Sequence, residues 1–151
     1  MHKSYVNEDI TVFWDSDKCR HAKMCVSKSP KVFEVGRRPW VKLENASSRE
    51  IWETVKKCPS GALDIIYNHD VTIGFDEAGH CSAAFFDGKQ IGECDYDDTG
   101  DAFNIFHTEV DSEHSGKGIA KRLVYRVIEE AERRGRGVTP TCSYAAKILN
   151  K

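Results

Sequence analysis

The segment Cys19-Arg20-His21-Ala22-Lys23-Met24-Cys25, followed after 32 residues by Cys58-Pro59, is the most specific pattern in this chain of 151 residues. Thiolates are ligands for soft metals, and two of them six positions apart in a loop can wrap an ion or a cluster. A third cysteine before Pro59 can close such a site from the far end of a small domain. Structural zinc ligands usually lie closer together, so the spacing fits zinc poorly. We therefore expect a soft-metal site that holds a small fold together.

Short secondary-structure elements surround these cysteines. Ser47-Ser48-Arg49-Glu50 has the Ser-x-x-Glu form of a capping box, which predicts a helix that runs to about Lys57. Strands or extended pieces are expected at residues 10–14, 32–33, 40–41 and 62–67. From this pattern of elements we place a first domain at residues 1–68. So few residues bury only a very small core.

The second half predicts a hairpin sheet and one amphipathic helix. Strands are expected at residues 71–75, 81–86, 90–96 and 102–110, with Asp87-Gly88 as a two-residue hairpin turn. In the last of these strands, residues 103, 105 and 107 alternate with residues 104, 106 and 108. An apolar helical stripe runs from residue 119 to 131, and a short final strand begins at Val138 and ends at Pro140. We place a second domain at residues 69–151.

Charge and hydropathy exclude several classes of protein. The formal net charge is −2, which gives no support to nucleic-acid binding. No stretch approaches the ~20 apolar residues of a membrane span, and the first residues lead into no signal-peptide core. We therefore expect a soluble protein of the cytoplasm that has no nucleic-acid partner and no membrane association.

Acidic residues concentrate between Lys89 and Lys117, where the sequence has eight carboxylates and neither Lys nor Arg. The interpretation that we favour is a solvated rim of loops. The alternative is a mouth that attracts a cationic amine through its negative potential.

Three further pieces accompany the cysteine segment: Pro30-x-Val32-Phe33, Trp40-Val41 and Cys58-Pro59-Ser60-Gly61-Ala62-Leu63. With them, about residues 5–67 resemble the divergent mono-cluster iron–sulfur domain, a relative of small bacterial ferredoxins. The resemblance implies an iron–sulfur cluster with Cys19, Cys25 and Cys58 as ligands. A small ferredoxin with four irons has a Cys or Asp midway between its first two cysteines, where this chain has Ala22. The cluster is then 3Fe-4S, or 4Fe-4S with water or His21 as its fourth ligand.

A glycine turn, Ser115-Gly116-Lys117-Gly118-Ile119-Ala120, opens the amphipathic helix after the strand that ends at Val110. Glycines permit a tight turn whose N–H groups point inward, and the N-terminus of a helix adds partial positive charge. The turn therefore suits a pyrophosphate, although it is neither a Walker A sequence nor a dinucleotide fingerprint.

Other pieces surround this turn: Gly88-x-x-Ile91-Gly92-Glu93, His107-Thr108-x-Val110 and Pro140-Thr141-Cys142-Ser143-Tyr144-Ala145. With them, about residues 69–149 resemble the GNAT acetyltransferase superfamily, most closely its short branch. That family usually begins its loop with Arg or Gln, where this chain has Ser115. The resemblance implies acetyl-CoA as cofactor, bound by Val110, Gly116, Lys117, Gly118, Ile119 and Ala120.

Three side chains of this half are candidates for chemistry. His107 is a candidate general base for an ammonium substrate, and a satisfied histidine on a strand is the alternative. Cys142 is a candidate acetyl acceptor through a thioester, and an inert buried cysteine is the alternative. Tyr144 is the candidate acid that protonates the departing CoA thiolate. Cys81 and Cys94 lie in predicted strands, and we interpret them as packing residues.

Together these features predict an α+β protein: a small ferredoxin-like iron–sulfur domain followed by a minimal GNAT-like mixed α/β domain. The expected function is iron–sulfur cluster binding together with acetyl transfer from acetyl-CoA to an unidentified amine. A redox partner protein is a further expectation. The alternative is a ferredoxin-like electron carrier, or a redox-sensing adaptor with a degenerate, non-catalytic transferase domain.

Overall fold

The computed structural model describes residues 2–16, 31–34, 40–57 and 61–149. The chain divides into two compact units, Met1–Asn68 and His69–Lys151. Each unit combines a β-sheet with helical segments, so the chain has the α+β fold class predicted from its sequence. Within the described ranges, no helix is both long enough and apolar enough to cross a membrane.

The first unit contains a three-stranded antiparallel sheet. Its strands are β1 (His2–Val6), β2 (Ile10–Asp15) and β3 (Leu63–Tyr67), in the spatial order β1-β2-β3. Strand β1 was not anticipated from the sequence. Its residues show little apolar alternation because β1 is a partly exposed strand that pairs only with β2 in the described sheet.

Helix α1 (Ser48–Val55) packs its apolar face against this sheet. The Ser47 hydroxyl accepts a hydrogen bond from the Glu50 amide at 3.2 Å, which confirms the N-cap predicted from the capping-box sequence. An antiparallel bridge joins Phe33 to Val41, where the sequence predicts extended pieces. The core of the unit consists of Ile10, Val12, Val32, Phe33, Val41, Leu43, Ile51, Val55, Leu63 and Ile65.

The second unit contains a five-stranded sheet. Its strands, in spatial order, are β4 (Thr72–Asp76), β5 (Cys81–Phe86), β6 (Lys89–Asp98), β7 (Ala102–Val110) and β8 (Gly137–Pro140). Asp87 and Gly88 both have positive φ (51° and 77°), as a type I′ hairpin turn requires. Strands β4 to β7 form an antiparallel meander, whereas β8 runs parallel to β7.

Helix α2 (Ile119–Arg133) links β7 to β8 and covers one face of the sheet, and α3 (Ser143–Leu149) follows β8. The approach of α2 to the sheet depends on Gly92. A Cβ atom there would lie 2.8 Å from the Glu109 carbonyl oxygen and 3.3 Å from Leu123. The Ser82 hydroxyl donates a hydrogen bond to the Leu123 carbonyl at 2.8 Å and so ties the helix to β5.

The buried carboxylate of Glu130 anchors the C-terminal end of α2. It accepts hydrogen bonds from Arg133, Arg126 and Arg134, with the last two in ion pairs at 3.2 and 2.9 Å. These arginines, Arg133 foremost, lower the pKa of Glu130 to about 2 although its burial opposes the shift. Arg126 also lies over the Phe75 ring, 4.9 Å from its centroid. The network therefore joins α2 to β4.

We expect Glu130→Gln to lower the stability of the second unit at pH 7, because three arginines lose their charged partner. The pKa of Glu130 in the folded protein is depressed from its usual 4.5 to about 2. Its contribution is therefore complete above about pH 4.5 and is lost as the pH falls towards 2. Scanning calorimetry should show a difference between parent and variant that shrinks over this pH window. Glu113→Gln, at an exposed position of the same unit, should leave the transition unchanged at every pH.

Candidate functional site

Strands β7 and β8 lie side by side over a short distance and then part. Their parallel register ends where Ile105 lies opposite Pro140. The Ile105 carbonyl oxygen then accepts hydrogen bonds from the amides of Thr141 and Cys142, at 2.9 and 3.0 Å. Strand β7 continues for five more residues, whereas the chain after β8 turns into α3. We call the resulting gap, between residues 106–110 and residues 141–144, the wedge.

An extra residue in β7 reverses the pattern of faces along the wedge. Consecutive residues of β6 lie opposite Ile105 and His107, so Phe106 has no partner in the register. This β-bulge shifts the alternation by one residue. Ile105 faces α2 before the bulge, and Thr108 does so beyond it, where its hydroxyl contacts buried Cys94. His107 therefore lies on the opposite face, whereas simple alternation would put it on the face of Ile105.

Cys142 is half-buried in the wedge, with its sulfur 3.7 Å from the Thr108 hydroxyl oxygen. The same oxygen lies 3.6 Å from the Cys94 sulfur. Burial raises the pKa of the Cys142 thiol. Hydrogen bonds from the Ala145 amide, the Thr108 hydroxyl and the amides of Tyr144 and Thr108 lower that pKa by more. The net result is a pKa below the usual value, which enlarges the thiolate fraction at neutral pH.

The two other candidates for chemistry lie beside the wedge. The half-exposed His107 imidazole has its Nε2 atom 3.2 Å from the Glu109 carboxylate. Tyr144 is the second residue of α3, and burial raises the pKa of its hydroxyl, so it keeps its proton at neutral pH. The structure thus brings Thr108, rather than His107, to the Cys142 sulfur.

The face of the sheet that carries His107 is acidic. Glu93 and Asp95 of β6 share it with Glu109 of β7, because alternate residues of paired strands lie on one face. A hydrogen bond with Asp95, together with burial and the charges of Asp95 and Glu109, raises the pKa of Glu93. The half-buried thiol of Cys81 lies opposite Asp95. These three carboxylates lie on strands, not on the rim of loops that the sequence favoured, and Cys81 is not packed in the core as Cys94 is.

The predicted glycine turn lies directly before α2. Gly116 and Gly118 have positive φ, 77° and 74°, which glycine adopts without steric strain. The first turn of α2, which begins at Ile119, contains no acidic side chain, and Gly118 offers none as an N-cap. No anionic side chain in the first turn therefore neutralises the partial positive charge of this helix end.

The cysteines predicted to bind metal, Cys19, Cys25 and Cys58, lie outside the described residues, as do His21 and Ala22. Within the ranges that the structure describes, no three His, Cys, Asp or Glu side chains come together as a metal site.

The described residues next to these segments lie at one end of the first sheet. The Asp15 amide, at the end of β2, donates a hydrogen bond to the Ala62 carbonyl at 2.8 Å and so joins the two chain segments. The ring of Trp14 packs edge-on against Trp40, with 5.1 Å between centroids. The Trp14 indole N–H is buried and has no hydrogen-bond partner among the described residues.

Residues 5–68 match the protein family described as a divergent 4Fe-4S mono-cluster. Over 68 residues the chain is 31% identical to the uncharacterized protein YjdI of Escherichia coli strain K12, and equally to that of strain O157:H7. The match covers 45% of this chain and 87% of that protein. The chain belongs to the divergent 4Fe-4S mono-cluster family.

The second unit carries a GNAT-like acetyltransferase domain, because residues 83–151 match the GCN5-related N-acetyl-transferase family. Among solved structures, the chain is similar to a ribosomal-protein-alanine N-acetyltransferase from Brucella melitensis biovar Abortus 2308, with 26% identity and a TM-score of 0.38. It is also similar to a GCN5-related N-acetyltransferase from Sphaerobacter thermophilus, with 20% identity and a TM-score of 0.42.

The chain covers only part of each of these enzymes. The first match spans 46% of this chain and 57% of the Brucella enzyme. The second spans 91% of this chain and 36% of the Sphaerobacter enzyme. At TM-scores below 0.5, neither likeness bears on the activity of this chain.

The residues of the iron–sulfur domain fit a cluster of this kind. Three thiolates are a donor set that iron–sulfur clusters use, and cluster sulfurs accept hydrogen bonds from N–H groups. The buried indole N–H of Trp14 is such a donor, and it lies at the end of the strand that leads to Cys19. An orphaned buried donor is unusual in a folded protein and needs an acceptor.

Thr108 is the candidate site residue that sequence reasoning missed. The motif His107-Thr108-x-Val110 contains it, but strand alternation grouped it with residues 104 and 106, away from Phe103 and Ile105. Only the bulge places Thr108 on the face of α2. The cross-strand register with Cys94 then makes the contact between the hydroxyl and two sulfurs possible.

Proposed function

We propose that the second unit transfers the acetyl group of acetyl-CoA to an amine by way of a thioester on Cys142. The observation that carries this proposal is the position of the Cys142 sulfur in the wedge. There it lies 3.7 Å from the Thr108 hydroxyl oxygen, and hydrogen bonding of the ionised sulfur with this hydroxyl and with backbone amides lowers its pKa. A thiol with a depressed pKa is the form of cysteine that acts as a nucleophile.

The glycine turn supports binding of the pyrophosphate of acetyl-CoA. Positive φ at Gly116 and Gly118 shapes the turn, and the amides of Ile119 and Ala120 begin α2 directly after it. An anion at this position meets the positive end of a helix of 15 residues. Lys117, half-buried in the turn, adds positive charge. Val110 ends β7 in the wedge and leads the chain towards the turn.

In the first step of the proposed reaction, the Cys142 thiolate attacks the carbonyl carbon of the acetyl group. A carbon–sulfur bond to Cys142 forms, and the bond to the CoA sulfur breaks. CoA leaves as a thiolate and takes the hydroxyl proton of Tyr144. The raised pKa of Tyr144 means that this proton is present at neutral pH.

In the second step, a neutral amine attacks the thioester, a carbon–nitrogen bond forms, and the Cys142 thiolate leaves. The nitrogen of the new amide gives its surplus proton to the Tyr144 phenolate that the first step left. The amine arrives as an ammonium ion and gives a proton to His107, whose partner Glu109 stabilises the resulting imidazolium. His107 serves the amine and not the thiol, because it lies on the opposite face of β7 from Thr108. The carboxylates on that face attract the cationic acceptor. Direct transfer from acetyl-CoA to the amine, with His107 as base, is the alternative within this class.

We further propose that Cys19, Cys25 and Cys58 hold the cluster of the iron–sulfur domain. When bound, the cluster supplies one-electron redox chemistry. Three protein ligands correspond to a 3Fe-4S cluster, or to a 4Fe-4S cluster with water or His21 on its fourth iron, because Ala22 has no ligating atom. We also propose that the protein is cytoplasmic, since clusters of this kind survive best in a reducing compartment.

The E. coli relative favours a second candidate function. Its 68 matched residues make up 87% of that protein, so it is little longer than one unit of this chain. An iron–sulfur domain of this size suits a ferredoxin-like electron carrier that docks with a redox partner protein. In this chain the second unit would then be a non-catalytic adaptor. Saturable acetyl-CoA binding favours the enzyme, and reversible reduction by a partner reductase without acetyl transfer favours the carrier.

Substitution of the cluster cysteines tests the metal centre. Cys19→Ala, Cys25→Ala and Cys58→Ala should each remove the brown colour and most of the iron and sulfide from anaerobically purified protein. Cys81→Ala is the control and should keep both. Equal iron loss from Cys81→Ala and Cys58→Ala would contradict the ligand set. Ala22→Cys should favour the four-iron form in electron paramagnetic resonance spectra.

A matched pair of glycine substitutions tests the acetyl-CoA site. Gly116 and Gly88 both have a φ of 77°, and a Cβ atom at either would meet nothing within 4 Å. Alanine should therefore cost each variant a similar stability, about 1–2 kcal/mol. Only Gly116→Ala should also weaken acetyl-CoA binding, by about tenfold, because it disturbs the amides that meet the pyrophosphate. If calorimetry finds equal acetyl-CoA affinities for the two variants, the glycine turn does not bind the pyrophosphate.

Mass spectrometry tests the thioester. Incubation with acetyl-CoA and no acceptor should add one acetyl group to the peptide that contains Cys142, and hydroxylamine should remove it. Cys142→Ala should abolish this labelling, whereas Cys94→Ala should not. If Cys142→Ala keeps acetyl transfer, and His107→Ala raises the pH that turnover requires, then transfer is direct and the thioester proposal is wrong.

A further inference from the structure

We infer that Thr108 is a positioning residue that holds the reactive form of Cys142. Its hydroxyl turns from the Cys94 sulfur to the Cys142 sulfur when the Cys142 thiol ionises. The inference deepens the proposed function and, in its catalytic consequence, rests on it. Neither family match assigns this role to Thr108.

The inference starts from a hydroxyl placed between two sulfurs. The Thr108 Oγ1 atom lies 3.6 Å from the Cys94 sulfur and 3.7 Å from the Cys142 sulfur. A hydroxyl has one proton and can donate to only one of them at a time. While both thiols are neutral, the geometry has Thr108 donating to Cys94 and accepting from Cys142.

The two sulfurs differ in their ability to carry charge. Cys94 is completely enclosed in the core beside α2, and this burial raises the pKa of its thiol to about 12. Cys142 is half-buried in the wedge and has a pKa below the usual value. Of the two thiols, Cys142 is therefore the one that ionises first as the pH rises. A charged acceptor forms the stronger hydrogen bond, so the hydroxyl turns towards Cys142 on ionisation.

The surroundings of Cys142 leave this role to Thr108. Among the described residues, the titratable neighbours of Cys142 include Cys94 on β6 and Tyr144 on α3, and the raised pKa values of both keep them uncharged at neutral pH. His107 and Glu109 pair with each other on the opposite face of β7. The hydroxyl of Thr108 is thus the side-chain donor that supports the thiolate, beside the backbone amides.

The fold restricts where this hydroxyl can lie. Thr108 is directly opposite Cys94 in the register of β6 and β7. Its branched side chain has few χ1 rotamers, so the oxygen is held between the sulfurs while the hydrogen stays free to rotate. This freedom serves both proposed steps, since the Cys142 sulfur is a thiolate when it attacks and again when it leaves. Between the two steps the Cys142 sulfur is acetylated and carries no charge, and the Thr108 hydroxyl can then donate to the Cys94 sulfur again.

Two substitutions at this position separate the hydroxyl from the shape of the side chain. Thr108→Val keeps the shape and removes the hydroxyl, whereas Thr108→Ser keeps the hydroxyl. The readout is the pH dependence of Cys142 alkylation by iodoacetamide in the full chain, followed by peptide mass spectrometry. We expect Thr108→Val to raise the midpoint by about 1–2 pH units, as the loss of one hydrogen bond to a charged group implies. Thr108→Ser should restore most of the shift.

Thr139→Val is the matched control. Its hydroxyl lies on β8 and contacts Asn104 at 3.2 Å, so its loss should leave the midpoint unchanged. Circular dichroism and the melting temperature confirm that each variant is folded. A parental midpoint in folded Thr108→Val would overturn the inference, and so would equal shifts in Thr108→Val and Thr139→Val.

The alkylation assay needs no acetyl-CoA, so it separates this inference from the proposed function. A shifted midpoint in Thr108→Val, in a protein whose parent forms no acetyl-Cys142, supports the role of Thr108 and overturns the thioester. If the parent forms acetyl-Cys142 but the alkylation midpoint of Thr108→Val equals that of the parent, only the inference about Thr108 is overturned. If the thioester and the role of Thr108 are both correct, single-turnover acetylation of Thr108→Val should need a higher pH than that of the parent. The difference should equal the shift in the alkylation midpoint.

Discussion

The carbonyl oxygen of Ile105 accepts hydrogen bonds from two consecutive amides, those of Thr141 and Cys142, and the candidate site of the second unit depends on this double acceptance. In a regular parallel ladder the hydrogen bonds are evenly spaced along the two strands. Here Pro140 has no N–H to donate, and the next two amides converge on one acceptor. The strands part at this point, and Cys142 comes to lie in the gap beside β7. Without this divergence, Cys142 would be one more residue of a paired strand.

The bulge at Phe106 determines which side chains lie on each face of the sheet at the wedge, and the two faces differ in their chemistry. On the side of α2 are the two sulfurs and the Thr108 hydroxyl, in partly apolar surroundings. On the other side are the His107 imidazole and several carboxylates, partly open to solvent. One side suits a thiolate nucleophile, and the other suits the capture and deprotonation of a cationic amine. A single extra residue in β7 thus keeps the proposed nucleophile and the proposed base on opposite faces while both remain at the same edge.

Local sequence determined the elements that surround this site. The Ser47 cap, the turn at Asp87 and Gly88, and the apolar stripe of α2 each depend on residues within a few positions of one another. Such signals need no tertiary contacts, and the structure confirms these elements within one or two residues. The strand β1 is the exception, because its own residues carry little apolar alternation and the strand forms by pairing with β2. Both families could also be recognised from short motifs, and the matches confirm them.

The sequence by itself determined which residues are chemically able to act: thiols, an imidazole, a phenol and a glycine turn at characteristic spacings. Tertiary structure alone decided which of them meet. Alternation along β7 predicted that His107 shares the face of Ile105, and the register with β6 placed Thr108 there instead. The register is a long-range property, because it is set by pairing between strands and by packing under α2. No local pattern in residues 102–110 reveals that one residue will be left unpaired, and that residue determines which side chain reaches Cys142.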